Sequence, residues 1–221
     1  MHNTVIFLGD GDYLSSEETL RAILEEGKYE FLAHGFLEAS LRNIARRAGV
    51  TTGAFYGYFK SKAELFDALV AHHYEAVMNM YRASHEAFRN LTHKEQEDNL
   101  GEISGQCLSQ MSEYIYDNFD AFRLILCCSE GTKYSGMIHE MSELEVKATD
   151  EFMRIMRASG REVPEIDPML EHMLISGMLS AFFETVIHDM PREKAKEYVQ
   201  SLQTFYLAGW KELMHISSTK E

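Results

Sequence analysis

Residues 40–62 read S-L-R-N-I-A-R-R-A-G-V-T-T-G-A-F-Y-G-Y-F-K-S-K, and the reading of this stretch decides the fold. Ser40 sits where an N-cap hydroxyl accepts a first-turn backbone N–H. Leu41, Ile44, Ala45 and Ala48 recur at helical spacing and give one small apolar face. Gly49 follows the last periodic residue, where a left-handed backbone stops a helix without strain. Val50 returns to the core, and Thr51 or Thr52 caps a second helix carrying Ala54, Phe55, Tyr58 and Phe59. Two short helices joined by a tight glycine turn make a helix-turn-helix.

The exposed residues of this stretch narrow its use. Arg42, Arg46, Arg47, Lys60 and Lys62 oppose a single acid, Glu38, within residues 37–62, a local charge of +4 in a chain of net charge −14. A basic island on a helix-turn-helix is the electrostatic footprint of a phosphate backbone. An αα-hairpin with a solvated basic rim would show the same charge. It would not require the second helix to begin on Thr51, Thr52, Gly53 and Ala54, small residues that permit close approach to base edges in a major groove.

Together these residues resemble the N-terminal domain of the TetR family of bacterial transcriptional regulators. The matching run extends upstream through Ile23, Phe31, Gly35 and Phe36. It then takes in Ile44-Ala45, Ala48-Gly49-Val50, Gly53, Phe55-Tyr56, Phe59, Ser61-Lys62 and Leu65, and leaves residues 70–221 outside. The resemblance implies an all-α protein, an N-terminal three-helix helix-turn-helix domain followed by a larger helical ligand-binding and dimerisation domain. It implies a double-stranded DNA operator, a homodimer and a small-molecule effector. Mapped onto this chain, it places Arg42 within reach of a base edge or a phosphate, and an arginine there suits guanine O6 and N7. Thr51, Thr52, Gly53 and Ala54 become the recognition tip, and Tyr56, Tyr58 and Lys62 become phosphate contacts. Ser40 and Lys60 complete the expected DNA-contact set. Gly57 and Ala54 are bare where relatives often carry larger groups, so shape readout is expected to matter.

Composition sets the outer bounds. The 221 residues are 45% hydrophobic and 25% charged, the balance of a globular chain with ample core. Residues 1–70 carry −3 and residues 71–221 carry −11, which confines any nucleic-acid contact to the basic island. Cys107, Cys127 and Cys128 cannot form an even disulfide framework, and reduced thiols are expected. Met1–Ser16 lacks a cationic start and a sufficient apolar run for a signal peptide. The longest apolar runs, such as Ile175–Phe183, fall short of a membrane span. A cytoplasmic protein without a membrane partner is the expectation.

Taken in order, residues 1–15 are expected to be a flexible arm; it has no Lys or Arg with which to enter a minor groove. Ser15 or Ser16 opens helix 1, with Leu20, Ile23, Leu24, Gly27 and Phe31 as its apolar stripe and Gly35 as its end. The helix-turn-helix domain spans 16–62. Ser61 with Glu64 forms a capping box for a long fourth helix, unbroken by Pro or Gly as far as Phe88. The body, 63–221, reads as helices over 95–117, 119–130, 135–159, 168–189 and 191–214. The last two are apolar beyond one stripe, which suits burial on two sides. Residues 168–214 are therefore expected to form the dimer helices.

The effector cavity is expected among the Met, Phe and Tyr residues of the body: Met111, Tyr114, Phe119, Phe122, Cys127, Phe152, Met156, Met173 and Phe182, since methionines repack around varied ligands. Glu130, His139, His172 and Glu184 are candidate polar handles. His72-His73, Cys127-Cys128 and Glu184…His188 lack the spacing of a metal site, so no metal and no cofactor are expected. No H-E-x-x-H, G-x-S-x-G or phosphate-cradling loop is present, which argues against an enzyme. The sequence thus points to a ligand-responsive DNA-binding regulator, expected to be a repressor released from a palindromic operator by a small apolar or amphipathic effector. The alternatives are a ligand-independent regulator acting through protein partners, and an all-α carrier or enzyme bearing such a head.

Overall fold

A computed structural model describes residues 15–216; the expected N-terminal arm lies outside the described residues. The described residues form ten α-helices and no strand. They are α1 (Ser16–Glu38), α2 (Leu41–Arg47), α3 (Thr52–Tyr58), α4 (Lys62–Arg89), α5 (His93–Asp98), α6 (Glu102–Asp117), α7 (Phe119–Cys127), α8 (Met137–Ala158), α9 (Pro168–Ile187) and α10 (Arg192–Leu213). The chain divides into two compact units. The first takes residues up to Tyr74 together with Phe119–Ser135, and the second takes Glu75–Asn118 and everything from Gly136 onward. The division falls inside α4, well beyond Lys62, and α7 joins the unit that holds the helix-turn-helix.

In the first unit, Ser15 caps α1 and Glu18 returns the bond, so both halves of a capping box are present. α1 packs against α2 and α7. Ile23 and Phe31 are fully buried, the Phe31 ring meets that of Phe66 of α4 edge to face at 5.0 Å, and Leu65 of α4 packs over Gly27. Gly35 breaks α1 at φ 70°, ψ 169°, and the bend brings Phe36 against Phe66 at 5.4 Å. The Phe36 N–H then donates to the Cys128 carbonyl at 2.8 Å, which fastens the end of α1 to the segment after α7. The Ser61 hydroxyl accepts from Glu64 N at 3.1 Å, as expected. The Glu64 carboxylate reaches one residue further back than a capping box requires, to Lys60 N at 2.6 Å.

In the second unit, α9 packs on α8, and α10 packs on α6 and α9. The single helix expected over 95–117 is two, α5 and α6, because Gly101 adopts φ 87° and its missing Cβ leaves room for Leu207 of α10. A Cβ at Gly101 would lie 2.5 Å from a Leu207 methyl, so the break is where α10 comes close. Tyr116 of α6 donates to the carbonyls of Thr185 at 3.2 Å and Met190 at 2.8 Å, pinning the α9–α10 turn. Lys196 reinforces that end with an ion pair to Glu113 at 2.7 Å. α9 is long and apolar enough, at a mean hydropathy of 1.3, to cross a membrane by composition, which the sequence reading missed. Its Ile175, Leu179 and Phe183 are nonetheless core, and its opposite side leaves Met169 and Met173 exposed.

Nothing lies within 4 Å of a Cβ built on Gly35, so its replacement tests backbone strain alone. Its φ and ψ fall in a region populated essentially by glycine. Gly35→Ala is expected to lower unfolding free energy by about 1–3 kcal/mol in urea titration, with no new clash to relieve.

Candidate functional site

Two seven-residue helices cannot hold their own geometry in water, so the reading head depends on what fixes them. Ser40 caps α2, its hydroxyl accepting from Asn43 N at 3.4 Å. Its own N–H donates to the Glu30 carboxylate of α1 at 3.1 Å, and the Asn43 amide donates to the same oxygen at 3.4 Å. Glu30 is almost wholly buried, and its position on α1 gives no hint of this in sequence. The turn closes with Val50 N donating to the Ala45 carbonyl at 2.9 Å, with Gly49 at φ 70°. Thr51, not Thr52, caps α3, accepting from Ala54 N at 3.1 Å. Phe55 and Phe59 turn inward and are buried.

The outward face carries Arg42, Arg46, Thr51, Thr52, Gly53, Tyr56 and Lys60, all exposed, with Ala54 half-buried beside them. Thr51 uses its hydroxyl as a cap and is exposed. The five basic residues are not equivalent. Arg47 pairs with Glu26 at 2.7 Å and lies 3.9 Å over the Tyr29 ring, so it serves the α1–α2 contact. Lys62 donates to the carbonyls of Leu37 at 2.7 Å and Ala39 at 3.1 Å. There it supplies the cation that α1, with no basic residue in its last turn, lacks at its C-terminus. Tyr58 is half-buried, its hydroxyl against Ser16 Oγ at 3.3 Å and Ser16 O at 3.4 Å. Lys62 and Tyr58, read from sequence as phosphate contacts, are thus engaged within the head. Arg42, Arg46 and Lys60 make no side-chain hydrogen bond or ion pair among the described residues, and they hold the basic face.

The second unit holds a part-open cavity of about 300 Å³. α4 contributes Tyr81, Ser84, His85 and Phe88, α6 contributes Cys107 and Leu108, and α8 contributes Glu145 and Phe152. Leu207 and Trp210 of α10 close it. Of the nine residues expected to line an effector cavity, Phe152 alone is on this wall. Met111, Met156 and Phe182 are buried as packing, while Met173 is 61% exposed. Phe119, Phe122 and Cys127 belong to the first unit, and Tyr114 is half-buried away from the cavity. The four candidate polar handles are not on the wall either; Glu184 pairs instead with exposed His188 at 2.7 Å.

The polar end of the cavity is a group the sequence reading did not single out. The Tyr81 hydroxyl donates to Glu145 Oε2, and His85 Nε2 lies 3.3 Å from the same oxygen. Burial, then the Glu145 charge, pushes the Tyr81 phenol well above its ordinary range, so it remains a donor. The Tyr81 and His85 rings meet edge to face at 4.6 Å. One signal was available: the apolar stripe of α4 runs through Val77 to Tyr81, and the next turn on that face is His85.

The comparisons with known proteins fall on the head. Residues 23–69 match the model for bacterial regulatory proteins of the tetR family. Over this segment the chain is similar to the TetR family. The HTH-type transcriptional regulator TtgR of Pseudomonas putida is 39% identical over 69 residues, 31% of this chain and 33% of that protein. The HTH-type transcriptional regulator SrpR of Pseudomonas putida is 43% identical over 56 residues, 25% of this chain and 26% of that protein. The matched region therefore spans only a quarter to a third of these relatives. Among solved structures, a TetR-family transcriptional regulator from Bordetella parapertussis aligns with a TM-score of 0.55 at 17% identity, over 86% of this chain and 95% of that one. The TetR-family regulator PfmR of Thermus thermophilus aligns at 0.53 and 16% identity, over 84% and 97%. At such identity the likeness is of fold: an N-terminal helix-turn-helix followed by a helical body.

The Lys62 geometry yields an expectation opposite to a phosphate contact. Lys62→Met is expected to lower the urea midpoint of the protein by removing about 1 kcal/mol of helix-terminus stabilisation. It should leave the salt dependence of DNA binding unchanged; a shallower salt slope with unaltered stability would return Lys62 to the phosphates.

Proposed function

We propose that this protein is a ligand-responsive, DNA-binding transcriptional regulator that acts as a homodimer and represses. The observation that carries the reading is the face of α2 and α3. It is a capped and braced helix-turn-helix whose exposed residues include Arg42, Arg46, Lys60 and a small tip at Thr51–Gly53, in a chain of net charge −14. Such a face admits phosphates and base edges, and the acidic remainder repels DNA. Arg42 is assigned to a base edge and Arg46 and Lys60 to phosphates, with Tyr56 as a hydroxyl donor beside them.

Dimer formation is supported by apolar surface on the terminal helices. Met169 and Met173 on α9 are 67% and 61% exposed, and Phe205 on α10 is 72% exposed. Two heads joined this way would read half-sites about 34 Å apart, or a multiple of that. Ligand response is supported by the part-open cavity, which a regulator working through protein partners alone would not need. α4 is the covalent route between the two functions. The same unbroken helix supplies Leu65 and Phe66 to the core of the head and Tyr81, Ser84, His85 and Phe88 to the cavity wall. An effector need only bind the DNA-incompetent state better, by about 1–3 kcal/mol, to release the operator.

The test is fluorescence anisotropy with the DNA immediately upstream of the protein's own gene, titrated with salt. Selective binding that weakens with salt is expected. Arg46→Ala should weaken all sequences alike and reduce the salt slope by about one unit. Arg42→Ala should instead relax sequence preference, at a cost of about 1–3 kcal/mol on the preferred site. Failure to select any site from random genomic fragments would refute the reading.

A further inference from the structure

The cavity wall carries a charge that a purely apolar ligand would leave unused. Glu145 is a carboxylate facing a largely apolar space, and no Lys, Arg or Asp shares that wall. Its two oxygens are treated differently. Oε2 takes the Tyr81 hydrogen bond and has His85 Nε2 at 3.3 Å. Oε1 accepts no hydrogen bond among the described residues. The Cys107 thiol, also on the wall, is pushed up by burial and stays neutral. The wall therefore holds one carboxylate, oriented by the Tyr81 hydroxyl with the His85 ring beside it, and one acceptor oxygen open to a guest. A carboxylate in apolar surroundings is costly unless a donor or a positive charge meets it.

We infer that the cavity binds small lipophilic amines, whose ammonium group pairs with Glu145 Oε1 while the hydrocarbon part lies against Phe88, Phe152 and Trp210. The inference rests on reading this cavity as the effector site. An N⁺–H to carboxylate bond is about twice as strong as a neutral one, and the aromatic rings favour a cation in the same space. A carboxylate ligand would bring a second negative charge against Glu145, and no Lys or Arg shares the wall to accept it. An alcohol could donate to Oε1 but would leave the charge unmatched. At about 300 Å³ the cavity is at the small end of ligand sites, which fits one aromatic ring on a short chain better than a long acyl group.

Trp210 is the only tryptophan in the sequence and stands on the cavity wall, so its fluorescence reports occupancy directly, without DNA. The protein is titrated with phenylbutylamine, phenylbutanol and phenylbutyrate, which share one hydrocarbon frame and differ in the terminal group. The amine is expected to bind about tenfold or more tighter than the alcohol, with the acid weakest. Glu145→Gln keeps an acceptor for Tyr81 and removes the charge; it should bring amine and alcohol to within about threefold. An acid or alcohol that binds wild-type protein as tightly as the amine overturns the proposal. So does an amine preference that survives Glu145→Gln, or no saturable response to any of the three. The wild-type ranking needs no variant, so a poorly folding mutant leaves the test intact. Binding with the expected ranking but without release of DNA would support the site and count against the regulatory reading instead.

Discussion

A buried carboxylate on the first helix organises the reading head. Glu30 accepts from the backbone N–H of Ser40 and from the Asn43 amide, so one oxygen fixes the start of α2 against α1. The phenylalanine cluster of Phe31, Phe36 and Phe66 holds α1 against α4. Arg47 adds a third tie through Glu26 and Tyr29. Everything DNA would touch is placed by these contacts, because α2 and α3 have too few residues to fix their own angle. The division of labour among the basic residues follows. Arg47 and Lys62 hold the head together, and Arg42, Arg46 and Lys60 remain exposed.

The second unit solves a different problem. Its helices bury Met153, Met156, Phe152 and Met214 as one cluster, yet Trp210, Phe88 and Leu100 at its edge also border an open volume. Close packing on one side and a cavity on the other is a compromise in stability, since unfilled apolar space forfeits dispersion contacts. Placing Glu145 beside that space adds a desolvation cost, partly offset by the Tyr81 hydrogen bond. Both features make sense if a guest with a donor group completes the wall. The geometry is chemically specific in a way that a greasy cavity alone is not.

Much of the fold was legible because it rests on local chemistry. Ser15, Ser40, Thr51 and Ser61 cap where hydroxyls at helix starts must, and Gly35 and Gly49 take positive φ where helices end. The break at Asn99–Gly101 was harder, since helical periodicity on both sides outweighed a turn signal that acts through Leu207, a hundred residues away. The site was legible only as far as local rules reach. Small residues at the tip of α3 and an exposed Arg42 follow from sequence. The engagement of Lys62 and Arg47 does not, because their partners lie on α1. Cavity walls are less legible still. Met111 and Met173 look alike in sequence, yet one is fully buried and the other largely exposed. Tertiary placement decides that, not residue type.

The central claim is that filling the cavity and binding DNA are linked through one protein. The most direct measurement is operator affinity by anisotropy with and without phenylbutylamine, at a concentration that saturates the Trp210 response. Linkage predicts that the filled protein binds its operator about 5- to 150-fold more weakly. An identical affinity with the cavity full would contradict the account.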